Sequence, residues 1–327
     1  MAIISSYITM TMLSFLFLFF YFPVIVLSFR PLTTFEVPSG GSEAYAFDRD
    51  GGGPYTGVND GRVVKYEERI NGFVDFAYAS PNRTKELCDG TNDPDLHTIC
   101  GRTFGLEMYH RTNELYMMDT YYGLCVVGPE GGLAKQLATG SEGESFKFSN
   151  ALDIDQLTGD IYFADSSSIN NLKHVPGQAA NLDTTARFLK YDYKTGKVAV
   201  LLKNLSLAGG VAISEDLSFV LVSEFMGNKI WKYWLKGPKA NTSEILLDVQ
   251  HPGNIKRAPS GDFWVAVNFQ TPNPVPAGIK INENGTILDM VSIGTPFNGV
   301  EISEVYEFGG LLFVASPFAS LGVVYKA

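Results

Sequence analysis

The chain has 327 residues, with 25 Lys and Arg against 35 Asp and Glu and a formal net charge of −10, so its surface repels a phosphate backbone. No Lys/Arg cluster offers the basic stripe that nucleic-acid binding requires, and that class of partner is excluded. At 45% hydrophobic, 13% aromatic and 18% charged residues the chain is far from the composition of disordered proteins, and its length allows two domains or one large all-β domain.

Residues 1–28 carry no charged side chain, and Met12 to Phe22 form an apolar run interrupted by Ser14 and closed by Pro23. This reads as a secretory signal peptide over 1–28, with Val26 and Ser28 as the small residues before the cut. An uncleaved anchor is the competing reading, because Tyr7 to Phe29 is long enough to span a bilayer and no Lys or Arg precedes it. Either reading puts residues 29–327 in the secretory pathway, bound for the vacuole or the extracellular space, with no membrane partner once the signal is removed.

Four Asn-x-Ser/Thr sequons agree with that compartment and mark Asn82, Asn204, Asn241 and Asn284 as glycan acceptors that must lie at the surface. Of three cysteines, Cys88 and Cys100 flank a polar segment and can close one loop as a disulfide. Cys125 sits in an apolar run as a buried thiol. The four histidines, His97, His110, His174 and His251, form no ligand-spaced set with a cysteine pair, which argues against zinc.

One phrase recurs six times along the body: a small residue or Gly, alternating apolar positions, a polar turn, then an apolar or aromatic strand. The copies begin at Glu43, Phe104, Asn150, Gly210, Asn254 and Gly299, about 44 to 61 residues apart, the period of four-stranded propeller blades. Each is paired with a second strand run, Leu115 to Asp119, Ile161 to Asp165, Phe219 to Val222, Phe263 to Ala266 or Leu311 to Val314 in the last five copies. Further strands follow at Arg62 to Tyr66, Phe188 to Tyr191 and Ile230 to Trp234. Turns at Gln156 to Gly159, Pro259 to Gly261, Glu283 to Gly285 and Phe308 to Gly310 supply Gly where hairpins need positive φ. The expected fold is an all-β, six-bladed β-propeller in a single domain, with Phe35 to Val37 available to close the ring against the last blade.

Propellers bind small molecules at a mouth of the central channel, where the innermost strands begin. The candidate site therefore lies at the first residues of the six units, with Phe148 and Phe225 as walls and a small-molecule substrate as the partner.

The runs Ala44 to Asp48, Val126 to Gly132, Gln136 to Thr139, Gly196 to Val198, Lys232 to Glu244 and Pro252 to Arg257 closely resemble the strictosidine synthase and plant strictosidine-synthase-like family. The resemblance covers nearly the whole mature chain, and Lys-Tyr-Trp-Leu-Lys-Gly-Pro and Pro-Gly-Asn-Ile-Lys-Arg are its most specific runs. It implies a six-bladed propeller, a disulfide matching Cys88 and Cys100, a secretory or vacuolar location and a role in alkaloid-type specialised metabolism. The implied reaction, of the carbon–nitrogen lyase class, is a Pictet–Spengler condensation of tryptamine with the aldehyde of secologanin. It requires no cofactor, and a glutamate removes the proton that restores indole aromaticity.

That glutamate belongs to a last-blade phrase Gly-Glu-His-(Phe/Ile)-Glu-Gln, which here reads Gly299-Val300-Glu301-Ile302-Ser303-Glu304. The catalytic position is thus Ser303, whose hydroxyl is no base without a group to deprotonate it, and this argues against strictosidine formation itself. Glu301 takes the place of the family histidine and, two residues away on a strand, is expected on the same face, displaced by roughly 6 to 7 Å, as a substitute carboxylate. Glu304 is expected to face the other way. The substrate-binding positions are Phe148, where the family has Trp, Asn150, where it has Tyr, and Phe225, which is retained.

A second reading takes Glu43, Asn150 and Asn254 as oxygen ligands of Ca²⁺, similar to the site of paraoxonase-like and gluconolactonase-like propellers that hydrolyse esters and lactones. Gly210 and Gly253 stand where those enzymes offer further ligands. A non-catalytic ligand-binding propeller is the third reading.

Overall fold

The computed structural model describes residues 31–174, 183–270 and 272–327; residues 1–28, expected to be a signal peptide, lie outside them. Six four-stranded sheets are arranged as the blades of a β-propeller. Blade 1 comprises Tyr55–Gly57, Arg62–Glu67 and Gly72–Tyr78, joined to the channel-lining segment 43–47 through an Ala46 to Tyr55 bridge and extended at its outer edge by Gly132–Leu133. The inner strands of blades 2 to 6 are Thr103–Tyr109, Ser149–Ile154, Ala208–Ile213, Pro252–Arg257 and Glu304–Phe308.

The ring closes as the sequence suggests. Thr33–Glu36 pairs antiparallel with Leu321–Lys326 and becomes the outer strand of blade 6, with Phe35 opposite Gly322. The N-terminal strand and the last three strands of the chain thus share one sheet, so opening the ring requires breaking a strand ladder as well as side-chain packing. The expected turn glycines hold positive φ, Gly261 at 87° and Gly285 at 77°, a region that costs other residues strain.

Small residues at the blade starts have a packing cause. Neighbouring inner strands approach so closely around the channel that a Cβ on Gly105 would lie 2.3 Å from the Asn150 carbonyl oxygen, and one on Gly210 2.6 Å from the Ile255 nitrogen. Between blades the faces are sealed by apolar clusters, such as Leu152, Phe163 and Leu189 of blade 3 against Met118 and Leu124 of blade 2. Fully burying side chains of this size stabilises by about 1.5 to 3 kcal/mol each.

The sixth unit differs from expectation. Gly299 to Ser303 is not part of the blade ladder, which begins at Glu304. The Asn268 side chain captures Ile302 instead: its Nδ2 donates to the Ile302 carbonyl and its Oδ1 accepts from the Ile302 N–H, both at 2.9 Å. An amide side chain here replaces a strand partner, so alternation along 299–303 does not describe which side chains share a face.

Cys88 and Cys100 are bonded, with Cα atoms 5.6 Å apart, and Cys125 is a buried free thiol. The disulfide joins two single-turn helices, Lys85–Cys88 and His97–Cys100, too short for hydrophobic periodicity to reveal. The first is capped by Thr84, whose side chain accepts from the Leu87 N–H at 3.3 Å. The sequon residues Asn82, Asn204, Asn241 and Asn284 are all exposed. Among the described residues no helix is long and apolar enough to cross a membrane.

Candidate active site

One mouth of the channel opens into a cavity of about 550 Å³. Its walls are largely apolar, formed by Phe104, Phe148, Leu207, Phe225, Met226, Ile302 and Phe318. The few polar groups come mostly from the starts of the inner segments: Glu43, Asn150, Asn254, Glu301 and Ser303 all line it. The structure therefore brings the sequence-derived site residues together around a space suited to a small organic molecule.

Phe148 is 3% exposed and meets Phe104 edge to face, with ring centroids 5.4 Å apart. Phe225 lies across the cavity mouth, stacked on His251 at 4.7 Å and 26°. Asn150 donates from Nδ2 to Ser166 Oγ at 3.0 Å, while its buried Oδ1 has no partner. Asn254 turns its Nδ2 toward the Glu43 carbonyl oxygen at 3.3 Å and Glu304 Oε2 at 3.5 Å.

Ser303 is 6% exposed. Its hydroxyl donates to the Glu43 backbone oxygen at 2.7 Å, its N–H to Ala315 and its carbonyl accepts from the Asn254 N–H. The hydroxyl is thus engaged by a backbone carbonyl, and Ser303 holds inner segments together.

Glu43 is the most deeply placed carboxyl of the cavity, 7% exposed, and its Oε2 has no hydrogen-bond partner. Burial pushes its pKa up to about 8, against the lowering pull of Arg102 and Ser303 and with a further upward push from Glu304 and Glu301. Arg102 is itself buried, with Nη1 and Nη2 donating to the carbonyls of Thr103 and Gly41 and the guanidinium 4.7 Å from the Phe104 ring centroid. His97, beside it in the wall, is pushed down to about 4 by burial and by the Arg102 charge and is therefore neutral at physiological pH.

Glu301 reaches the rim with its side chain 29% exposed, Oε1 3.3 Å from Gln270 Nε2 and 3.9 Å from His251 Nδ1. Burial lowers the His251 pKa and the nearby Glu301 opposes that shift. His251 also has φ of 40°, an uncommon conformation for a side chain of this size and a mark of functional sites. Sequence reasoning had weighed His251 only as a zinc ligand; its partnership with Phe225 and Glu301 spans two blades and a loop, and no local pattern signals it.

Glu304 faces away from the cavity, as expected, but is fully buried in the channel beneath it. Its Oε1 accepts from the Tyr45 N–H at 2.7 Å, and its Oε2 lies 3.9 Å from Lys256 Nζ, which pairs with Glu107 Oε2 at 2.8 Å. Burial raises the Glu304 pKa to about 7 despite Lys256. Burial alone would depress Lys256, but Glu107 and Glu304 hold its pKa above the ordinary lysine value. This buried chain closes the channel below the cavity, and removing one member would leave an uncompensated charge.

The donor set for calcium is thin. Glu43 Oε2 and Asn150 Oδ1 are buried and unpaired in the same cavity, and Asn254 adds one amide. One carboxyl and two amides supply a minority of the six to eight oxygens of a Ca²⁺ site, and backbone carbonyls and water would have to complete it. Among the described residues there is no group of three or more His, Cys, Asp or Glu able to hold a metal.

Comparison with known proteins agrees with this geometry. A family model described as strictosidine synthase matches residues 150–238. The chain is 42% identical over 297 residues to strictosidine synthase of Catharanthus roseus, covering 88% of this chain and 84% of that protein. It is 41% identical over 301 residues to the protein strictosidine synthase-like 12 of Arabidopsis thaliana, covering 90% and 89%. Among solved structures, a gluconolactonase from Xanthomonas campestris superposes with a TM-score of 0.63 at 14% identity, over 90% of this chain and 89% of that one. A calcium-binding protein, regucalcin, from Agrobacterium tumefaciens gives 0.63 at 13% identity, over 91% and 93%. At such identity these two establish the propeller fold alone.

Proposed function

The chain belongs to the strictosidine synthase family, and from that premise we propose that its cavity condenses an amine with an aldehyde, with Glu301 as the base of the final proton removal. The observation that carries this reading is the Phe225–His251–Glu301 group, which puts a carboxylate beside a stacked aromatic wall at the rim of a largely apolar cavity. An aromatic amine lies against such rings, and the ring carbon that must lose a proton then comes within reach of the carboxylate. Ser303 gives no such service, because its proton is engaged by the Glu43 carbonyl.

The substitutions relative to the family pattern, Ser303 at the glutamate position and Asn150 at the tyrosine position, argue for a partner pair other than tryptamine and secologanin. The assay therefore uses that pair together with a panel of arylethylamines and aldehydes. Turnover of at least one pair, reduced on the order of 10²-fold by Glu301→Gln, is expected; turnover untouched by that change would remove Glu301 from the reaction. We further propose that the mature chain works in the lumen of the secretory pathway, a reading supported by the leader sequence, the disulfide and the exposed sequon asparagines.

A further inference from the structure

We propose that Glu43 is a second catalytic carboxyl of this cavity: the acid that expels water from the amine–aldehyde adduct, complementing Glu301 as the base of the later step. The inference rests on the condensation reading above and divides its chemistry between two residues on different blades.

Its foundation is geometric. Glu43 is more than nine-tenths buried, it borders the cavity, and its Oε2 meets no donor or acceptor of the protein. Native folds rarely leave a buried carboxyl oxygen unpaired, so a partner supplied by the ligand is the natural completion. Arg102 forms no hydrogen bond or ion pair to it: its Nη1 and Nη2 donate to the Thr103 and Gly41 carbonyls, and its charge reaches the Glu43 carboxyl only as a longer-range pull. Ser303 touches the Glu43 backbone at 2.7 Å, so the Glu43 carboxyl is rooted next to the position where the family pattern has its own glutamate. The raised pKa agrees with a group that keeps its proton until a ligand takes it. Asn150 Oδ1, unpaired and buried in the cavity like the ring nitrogens of His97, is a positioning group for the N–H of the amine and of the iminium that follows.

The step balances as follows. The free amine adds to the aldehyde carbon, and a proton passes from nitrogen to oxygen to give a carbinolamine. Glu43 gives its proton to the carbinolamine hydroxyl, the C–O bond breaks, and water leaves an iminium cation beside the Glu43 carboxylate. The amine's aromatic ring carbon bonds to the iminium carbon, and the C=N electron pair returns to nitrogen. Glu301 then takes the proton from that ring carbon, and water carries a proton from Glu301 back to Glu43. One water is released per product, with no oxidant or cofactor.

Cyanoborohydride tests the division of labour, because it delivers hydride to an iminium and leaves an open-chain secondary amine that mass spectrometry counts. The mature chain and its variants are incubated with the pair that the wild type turns over, and the protein-free background is subtracted. Glu301→Gln should accumulate at least about tenfold more trapped amine than wild type, since water is expelled but the ring proton stays. Glu43→Gln and the double variant should trap on the order of 10²-fold less than Glu301→Gln. Glu43→Asp should recover part of the loss, which a merely structural role would not give, and a melting curve for each variant separates chemistry from unfolding. Equal trapping by Glu43→Gln and Glu301→Gln overturns the assignment of Glu43 while leaving the condensation intact. A wild type that turns over no pair overturns the condensation and, with it, this role.

Discussion

The hydroxyl of Ser303 donates a 2.7 Å hydrogen bond to the backbone carbonyl of Glu43, linking the approach to the last blade with the innermost segment of the first. Ser303 is here a structural donor. Ser303→Ala should lower the stability of the chain by about 1 kcal/mol, more if the Glu43 carbonyl then finds no water. A urea melt measures this; a midpoint equal to wild type would mean that the bond contributes nothing.

The buried carboxyls predict an unusual pH dependence. Glu43, at about 8, and Glu304, at about 7, both stand above an ordinary 4.5. In that interval the folded chain holds protons that the unfolded chain has released, so stability from these groups is full below pH 4.5 and is lost as pH rises through 7 to 8. His97, lowered from 6.5 to about 4, acts in the opposite sense but only below pH 6.5. Between pH 6.5 and 8 the unfolding free energy from urea melts should therefore fall, by at most about 1.4 kcal/mol per pH unit for each group, and Glu43→Gln should flatten the slope. A midpoint that holds steady or climbs over this range contradicts the buried environment described for both carboxyls.

Calcium separates two chemistries at one cavity. With a single carboxyl and two amides as donors, removal of divalent ions by a chelator should leave the melting temperature within error and the purified chain free of stoichiometric calcium. A drop in melting temperature restored by Ca²⁺ would instead assign Glu43, Asn150 and Asn254 to a metal and redirect the substrate search to esters and lactones.

The exposed sequon residues Asn82, Asn204, Asn241 and Asn284 predict glycans on the chain made in a plant secretory system. Deglycosylation should raise its mobility on a denaturing gel in steps that each match one asparagine changed to Gln. A chain whose mobility does not shift did not pass through the lumen in which these sequons are read.

The blades were legible because the strands carry their own signals: period-2 alternation, Gly-bearing turns and glycines such as Gly105 and Gly210 near inner starts. The close approach of Gly105 to Asn150 and of Gly210 to Ile255 explains that last feature, since a geometric demand repeated around a ring leaves a repeated mark in the chain. The closing strand at Phe35 and the Cys88–Cys100 pair were legible for similar reasons. The sixth inner start was misplaced at Gly299, because Asn268, 34 residues from Ile302, takes over that backbone with its side chain.

Sequence by itself determined the fold and the family and pointed to Glu43, Asn150 and Asn254, since strand alternation and family motifs are local, while the places of His97, Arg102 and His251 at the channel mouth had no local signal. Only the tertiary structure decided their roles. Whether Glu43 meets a metal, a cation or empty space depends on Arg102 being turned to carbonyls, on Ser303 engaging its backbone and on the burial that holds its proton. Those are sums over several blades, and proton affinity and pairing follow from the surroundings of a carboxyl, which no stretch of adjacent residues contains.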